Sequence, residues 1–300
     1  MFLESFTLPI GQEDHLIEER MLYNGGPNLG YIDNTYPCRL FEERELSEIW
    51  FRRITIFYGG NGSGKSTLLN LIAEKLGLER TAPFNSSELF DAYAQACRYT
   101  LASDDEGKPC RIPQGSRIIT SDDVFDYMLS IRTNNQEIAE EIERSREEYA
   151  RLKYGRTVKF NSMDDYEQLR DQIHARSRSV SRRRFIRETA GKEMHLISTG
   201  ETALRYFDAR LEPDTLYCLD EPENSMSPAM QLELKAILEK LAGCCGSQMT
   251  IATHSPFLLS IKDARIYDLD SSPVEVRNWW ELENIQLYYR FFKDHQDLFD

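Results

Sequence analysis

Residues 59–67 read Gly-Gly-Asn-Gly-Ser-Gly-Lys-Ser-Thr, and they contain G-x-x-x-x-G-K-S from Gly59 to Ser66. No other segment constrains the chain as strongly. Such a loop needs a strand before it and a helix after it. Both are legible. Arg53–Tyr58 is a β-branched and aromatic run that predicts a strand. A helical stretch is expected from about Ser66 to Leu76. Glycines let backbone N–H groups turn toward phosphate oxygens, and the helix N-terminus favours the same anion. Gly59, Gly60, Asn61, Gly62, Ser63, Gly64, Lys65, Ser66 and Thr67 are therefore the candidate nucleotide-binding residues. Lys65 would reach the β/γ phosphates, Ser66 would ligate Mg²⁺ and Thr67 would contact the α-phosphate.

Downstream, Leu216–Leu219 is a buried-strand run that ends in Asp220-Glu221-Pro222. Open α/β sheets bind ligands at the carboxyl ends of their strands. Asp220 is thus a candidate Mg²⁺ ligand, and Glu221 a candidate to orient or deprotonate an attacking water. Further alternation follows: a helix near 228–242, a strand at Met249–Thr253 and a short strand at Arg265–Leu269. Strands alternating with helices predict an α/β fold with a mostly parallel sheet.

Charge divides the chain unevenly. The net charge is −14, yet residues 132–192 carry 15 Lys+Arg against 11 Asp+Glu. Ile138, Ile142, Ser145, Tyr149 and Leu152 recur at spacings of 4, 3, 4 and 3, a heptad seam. Helix resumes from Met163 with Tyr166, Leu169 and Ile173. This predicts a helical hairpin with its tip near 154–162, separate from a shorter helix at Val124–Ile131. Arg176, Arg178, Arg182, Arg183, Arg184 and Arg187 follow within twelve residues. They could neutralise phosphates of DNA or meet an acidic protein effector. They could equally pair with the acidic run Glu137–Glu148 on the facing helix.

Two more elements stand in order around the carboxylates. Ser198-Thr199-Gly200-Glu201 lies 22 residues before Asp220 and opens a helix. Ala252-Thr253-His254-Ser255 sits at a strand end, with His254 33 residues after Glu221. The four ordered motifs together resemble the ABC class of ATPases. The S-x-G-E form of the signature is similar to the SMC and RecF-like branch and to small bacterial AAA-family ATPases, rather than to transporters. That resemblance implies a P-loop ABC-type fold: a RecA-like sheet, an antiparallel β lobe and an inserted helical hairpin. The implied division is 1–133 for the lobe and phosphate-loop half, 134–192 for the hairpin and 193–300 for the remaining core. It also implies a homodimer formed on ATP binding, with Ser198, Gly200 and Glu201 of one subunit closing over ATP held by the other. Glu221 and His254 would be catalytic, His254 touching the γ-phosphate. Coupling to DNA or to a partner effector, of a repair or antiviral-defence kind, follows from the same branch. A transporter subunit or an ATP-sensing scaffold is the alternative.

Three details stay open. No glutamine marks a Q-loop, and its place reads Ser121-Asp122-Asp123. Asp122 or Asp123 could approach Mg²⁺, or could cap the following helix. Tyr36 and Phe41 are the aromatic candidates for an adenine contact. Ile285, Tyr288, Tyr289 and Phe292 form an amphipathic stripe expected to pack on the body, with a partner surface as the alternative. The start MFLESFTLPI lacks a basic n-region, and the six cysteines show no C-x-x-C pair. A reduced, cytoplasmic protein without zinc hook, transition metal or membrane segment is expected.

Overall fold

A computed structural model describes residues 1–24, 35–84, 86–104, 106–157, 166–177, 181, 184–186 and 199–299. In chain order the elements are β1 (Leu3–Thr7), α1 (Gln12–Asn24), β2 (Glu48–Trp50), β3 (Ile54–Tyr58), α2 (Lys65–Leu76), α3 (Glu88–Ala96), β4 (Arg98–Leu101), β5 (Arg117–Ile119), α4 (Ser121–Tyr154) and α5 (Tyr166–Arg176). Then come α6 (Thr199–Arg210), β6 (Leu216–Asp220), α7 (Pro228–Cys244), β7 (Gln248–Ala252), α8 (Pro256–Leu259), β8 (Arg265–Asp268), β9 (Glu275–Arg277) and α9 (Glu283–Asp294). A 3-10 turn, Trp279–Glu281, precedes α9.

Six strands form one sheet in the order β5-β6-β7-β3-β8-β9, parallel except for β9. Every residue of β3 and β7 is buried, as a parallel strand covered on both faces must be. The α2 helix packs over β5, β6 and β7. It ends at Gly77, whose φ of +63° supplies a left-handed cap. A second, antiparallel sheet runs β2-β1-β4. The fold is thus the P-loop ABC-type α/β arrangement, with a parallel-dominated sheet and an antiparallel lobe. One buried amide joins the two sheets. Gln248 Oε1 accepts from the N–H groups of Phe2 and Leu3, and its Nε2 donates to Leu3 O and Arg52 O.

Two expectations are corrected. Residues 86–99 read from sequence as one helix, but α3 stops at Ala96, and Arg98–Leu101 is a strand pairing with β1. The separate helix at Val124–Ile131 does not end before a hairpin at 134. One continuous helix, α4, runs from Ser121 to Tyr154. Thr133, Asn134 and Asn135 are polar, but no Pro or Gly interrupts the run.

The chain divides into two compact units, Met1–Phe125 with Thr199–Asp300, and Asp126–Ser198. In the second unit four of the five seam positions, Ile138, Ser145, Tyr149 and Leu152, are buried, and Ile142 is half-buried. On α5 the expected face is wrong. Tyr166 and Ile173 are exposed, whereas Gln172 and Ala175 are buried. The Gln172 amide earns its burial by donating to Arg156 O at 2.9 Å. The hairpin tip falls largely outside the described residues.

Candidate nucleotide site

Strand β3 delivers the chain to a loop that turns back into α2 at Lys65. The turn requires φ values of +79° at Gly62 and +91° at Gly64, which side chains with a Cβ rarely adopt. Gly64 also seals the loop against what lies beneath it. A Cβ there would lie 3.3 Å from both Leu40 Cδ2 and Phe41 Cε1. Phe41 is fully buried, so it supports the loop and cannot stack on a base. Tyr36 is partly exposed, shares a hydrogen bond with Thr67 Oγ1 and stacks on Phe90 at 6.4 Å.

Three contacts set the loop's shape. Lys65 Nζ donates to Gly59 O at 2.8 Å and Gly60 O at 2.9 Å. The Gly60 N–H donates to both carboxylate oxygens of Asp270, at 3.0 and 2.8 Å. The Arg44 guanidinium bridges the carbonyls of Ser63 and Leu269. Asp270 and Arg44 carry no motif signal. They meet the loop only through the fold, 210 and 19 residues away in sequence.

The carboxylates reach the loop because β6 runs parallel beside β7, which flanks β3. The Ser66 hydroxyl donates to Asp220 Oδ1 at 3.0 Å. Burial pushes the Asp220 carboxyl up to about 6, against the pull of the Ser66 hydrogen bond, and the neighbouring Glu221 charge adds to the rise. Glu221 sits at φ +46°, a left-handed position for a residue with a side chain. It is held there by its N–H on Ala252 O and by the Asn224 amide on Oε2. His254 Nδ1 stands 3.7 Å from Glu221 Oε1 and 3.9 Å from Glu223 Oε1.

Glu223 is the site residue that motif reading passed over. It is buried, and its Oε1 accepts from Thr253 Oγ1 and from the N–H groups of His254 and Ser255. Burial raises its carboxyl above the usual range. Ser255 caps α8 and donates to Gln231 Oε1 at 2.6 Å.

Gly200 is buried, and a Cβ on it would fall 2.3 Å from Met230 Sδ and 3.5 Å from Ser225 O. The start of α6 therefore approaches the 224–227 loop closely. Glu201 is exposed, and Ser198 lies outside the described residues. Both carboxylate oxygens of Asp123 are engaged within the protein. Its Oδ1 accepts from Ala82 N–H, and its Oδ2 from the N–H and hydroxyl of Thr120. It caps the start of α4, while Asp122 is exposed on the same turn.

Among the described residues no three His, Cys, Asp or Glu side chains come together as a metal site. The Ser66–Asp220 pair instead offers two oxygen donors. That suits Mg²⁺, which keeps waters and borrows phosphate oxygens rather than needing a protein cage.

In the helical unit, Arg178, Arg182, Arg183 and Arg187 lie outside the described residues. Arg176 does not pair with the acidic run. Its guanidinium donates to Leu152 O, Gly155 O and Thr157 Oγ1 at the C-terminal end of α4. Glu143 and Glu148 pair within their own helix, with Arg146 and Arg151. Arg184 is exposed, and its N–H donates to Ser181 Oγ.

No curated protein matches the chain in sequence. Among solved structures, an inward-facing metal-chelate type ABC transporter is 19% identical, covering 79% of this chain and 77% of its own, with a TM-score of 0.37. The SMC head domain from Thermotoga maritima is 14% identical, covering 93% and 99%, with a TM-score of 0.38. An SMC head from Pyrococcus furiosus with an extended coiled coil, bound to the C-terminal domain of ScpA, is 13% identical, covering 81% and 95%, at 0.38. The family model for the ABC transporter matches residues 48–224. That stretch holds the phosphate loop, the Ser198–Glu201 segment and the β6 carboxylates within more than half of the chain, and the chain belongs to the ABC transporter family, as an ABC-class ATPase.

Proposed function

We propose that two copies of this chain clasp Mg-ATP between them, hydrolyse it, and use the cycle of closure and release to drive a partner effector or DNA. The observation that carries the reading is the 3.0 Å hydrogen bond from Ser66 to Asp220. It joins the helix after the phosphate loop to the carboxylate end of β6, with Glu221 and His254 alongside.

The loop N–H groups and the N-terminus of α2 would hold the phosphates. Lys65 would exchange its two loop carbonyls for β/γ-phosphate oxygens. Ser66 and Asp220 would hold Mg²⁺, which supplies positive charge against the phosphates when bound. Glu221 would orient the attacking water and take its proton. His254 would contact the γ-phosphate at the end of β7. The 198–201 signature of the second copy would complete the site, with Gly200 keeping that helix close to the 224–227 loop. ATP binding then holds two subunits together, and hydrolysis releases them.

No described helix is long and apolar enough to cross a membrane. A cytoplasmic setting is part of this reading. Arg176 is occupied within its own unit, which weakens the arginine cluster as a DNA face and favours a protein effector. The test is Mg²⁺-dependent ATP hydrolysis at low salt, with and without duplex DNA. Stimulation that fades as salt rises assigns the cycle to nucleic acid. Hydrolysis indifferent to DNA assigns it to a protein. Glu221→Gln should accumulate an ATP-bound dimer by light scattering, and a strict monomer with ATP and Mg²⁺ would sink the two-subunit mechanism.

A further inference from the structure

The backbone ladder of the sheet stops just short of His254. At the end of β7 the Ala252 carbonyl accepts from the Glu221 N–H at 2.9 Å, and the Thr253 N–H donates to Phe57 O on β3 at 3.2 Å. The next two N–H groups go to a side chain instead. Those of His254 and Ser255 both donate to Glu223 Oε1 at 3.2 Å, and the Thr253 hydroxyl donates to the same atom. The Ser255 N–H is shared with Thr253 Oγ1 at 3.0 Å. One carboxyl oxygen thus supplies the acceptor that a neighbouring strand supplies lower in the sheet.

Glu223 can do this because it is itself fixed. It is 4% exposed, and its carbonyl accepts from the Met226 N–H at 3.0 Å in the turn that follows β6. All three donors fall on Oε1, whereas the buried Oε2 has no hydrogen-bond partner among the described residues. Burial raises the carboxyl, and a proton would settle on Oε2 and leave the three contacts in place. What this position supplies is an acceptor at a fixed point rather than a charge.

The His254 ring has little else to aim it. It is half-exposed, and Nδ1 is beyond hydrogen-bond distance of both Glu221 Oε1, at 3.7 Å, and Glu223 Oε1, at 3.9 Å. Such a ring takes its place from its main chain. We infer that Glu223 is a positioning residue for hydrolysis: its Oε1 holds the Thr253–Ser255 backbone and thereby sets the His254 imidazole against Glu221. The inference rests on the ATPase reading for the roles of His254 and Glu221, not for the geometry that joins them.

Steady-state ATP hydrolysis is compared among the wild type, Glu223→Ala, Glu223→Gln, His254→Ala and the double variant Glu223→Ala with His254→Ala. Glu223→Ala should lower kcat at least about tenfold with KM within about twofold. Glu223→Gln keeps an acceptor and should retain kcat within about threefold. In the His254→Ala background, Glu223→Ala should cost less than about twofold more, because it acts through that ring. A loss confined to KM, equal losses for the two Glu223 variants, or additive losses would each overturn the proposal. If Glu223→Ala does not fold, Thr253→Val takes its place in the cycle. It removes one of the three donors, should lower kcat about threefold, and must also be silent once His254 is gone. The geometry is read separately, without nucleotide, from the imidazole carbon–proton NMR resonance that His254→Ala deletes. That resonance should move in Glu223→Ala and move less in Glu223→Gln. A moving resonance in a protein that hydrolyses no ATP overturns the ATPase reading alone, and an unmoved one in an active enzyme overturns the positioning alone.

Discussion

The side-chain amide of Asn224 donates to Glu221 Oε2 at 3.1 Å, across one turn of the loop that leaves β6. A carboxylate that must aim at water loses rate when it can rotate. On the proposed role of Glu221 in orienting water, Asn224→Ala should lower kcat about threefold to tenfold with KM little changed, the scale of one positioning hydrogen bond. Glu221→Gln should cost about a hundredfold or more. Phosphate release under saturating ATP measures both, and an Asn224→Ala loss confined to KM would refute the positioning role.

Asp220 carries its charge at an energetic cost in the protein without nucleotide. Its pKa in the folded protein, about 6, lies above the ordinary aspartate value of about 3.9. Between those values the folded state binds the extra proton, so this group's contribution to stability falls as pH rises from about 4 to about 6. Above that window the full penalty stands. Asp220→Asn should therefore stabilise the nucleotide-free protein at pH 8 by about 1–3 kcal/mol. The gain should shrink as pH falls through about 6 and vanish near 4. Paired urea melts across that range test it, and a gain that grows toward acid would show the sign to be wrong.

Asp270 bonds the first turn of the phosphate loop with both oxygens, from an exposed position. Removing it frees the Gly60 N–H to solvent rather than burying it unpaired. Asp270→Ala should raise the Kd for ATP about threefold to tenfold, near 1 kcal/mol, and leave the fold intact. Titration calorimetry reads the affinity, and an unchanged Kd would mean the loop keeps its shape without this contact.

Gln248 makes four hydrogen bonds while fully buried between the two sheets. Gln248→Leu preserves bulk but strands the Phe2 and Leu3 N–H groups. It should destabilise the chain by about 2–4 kcal/mol and lower Tm by about 5–10 °C. Thermal melting checks this; a shift under about 2 °C would mean the lobe rearranges.

What could be read from the sequence was what is local. The phosphate loop, its strand and its helix are contiguous, and each glycine has a reason visible in the chain itself. The β6 and β7 ends came within one residue for the same reason. Arg98–Leu101 was misread because its partner strand begins at Leu3, and exposed β4 residues give no alternation. Arg44 and Asp270 left no trace, since only the folded sheet brings β8 to the loop. Glu223 was visible as a letter in the Asp-Glu-Pro-Glu run, but its three donors come from residues 253–255, just past the end of β7. The α9 stripe shows the limit differently. Periodicity reveals an apolar face, and only the fold reveals that nothing in the described chain covers Tyr289 and Phe292.

The bracing of the phosphate loop by Arg44 and Asp270 has a kinetic corollary. A receptor already in shape spends its ordering entropy when the chain folds, not when the nucleotide arrives. Encounter then needs no slow closure of the loop, and capture proceeds at the pace of orientation and charge steering. On the proposed ATP cycle, discrimination among nucleotide states then falls to residence time, to how long each stays rather than how readily each enters.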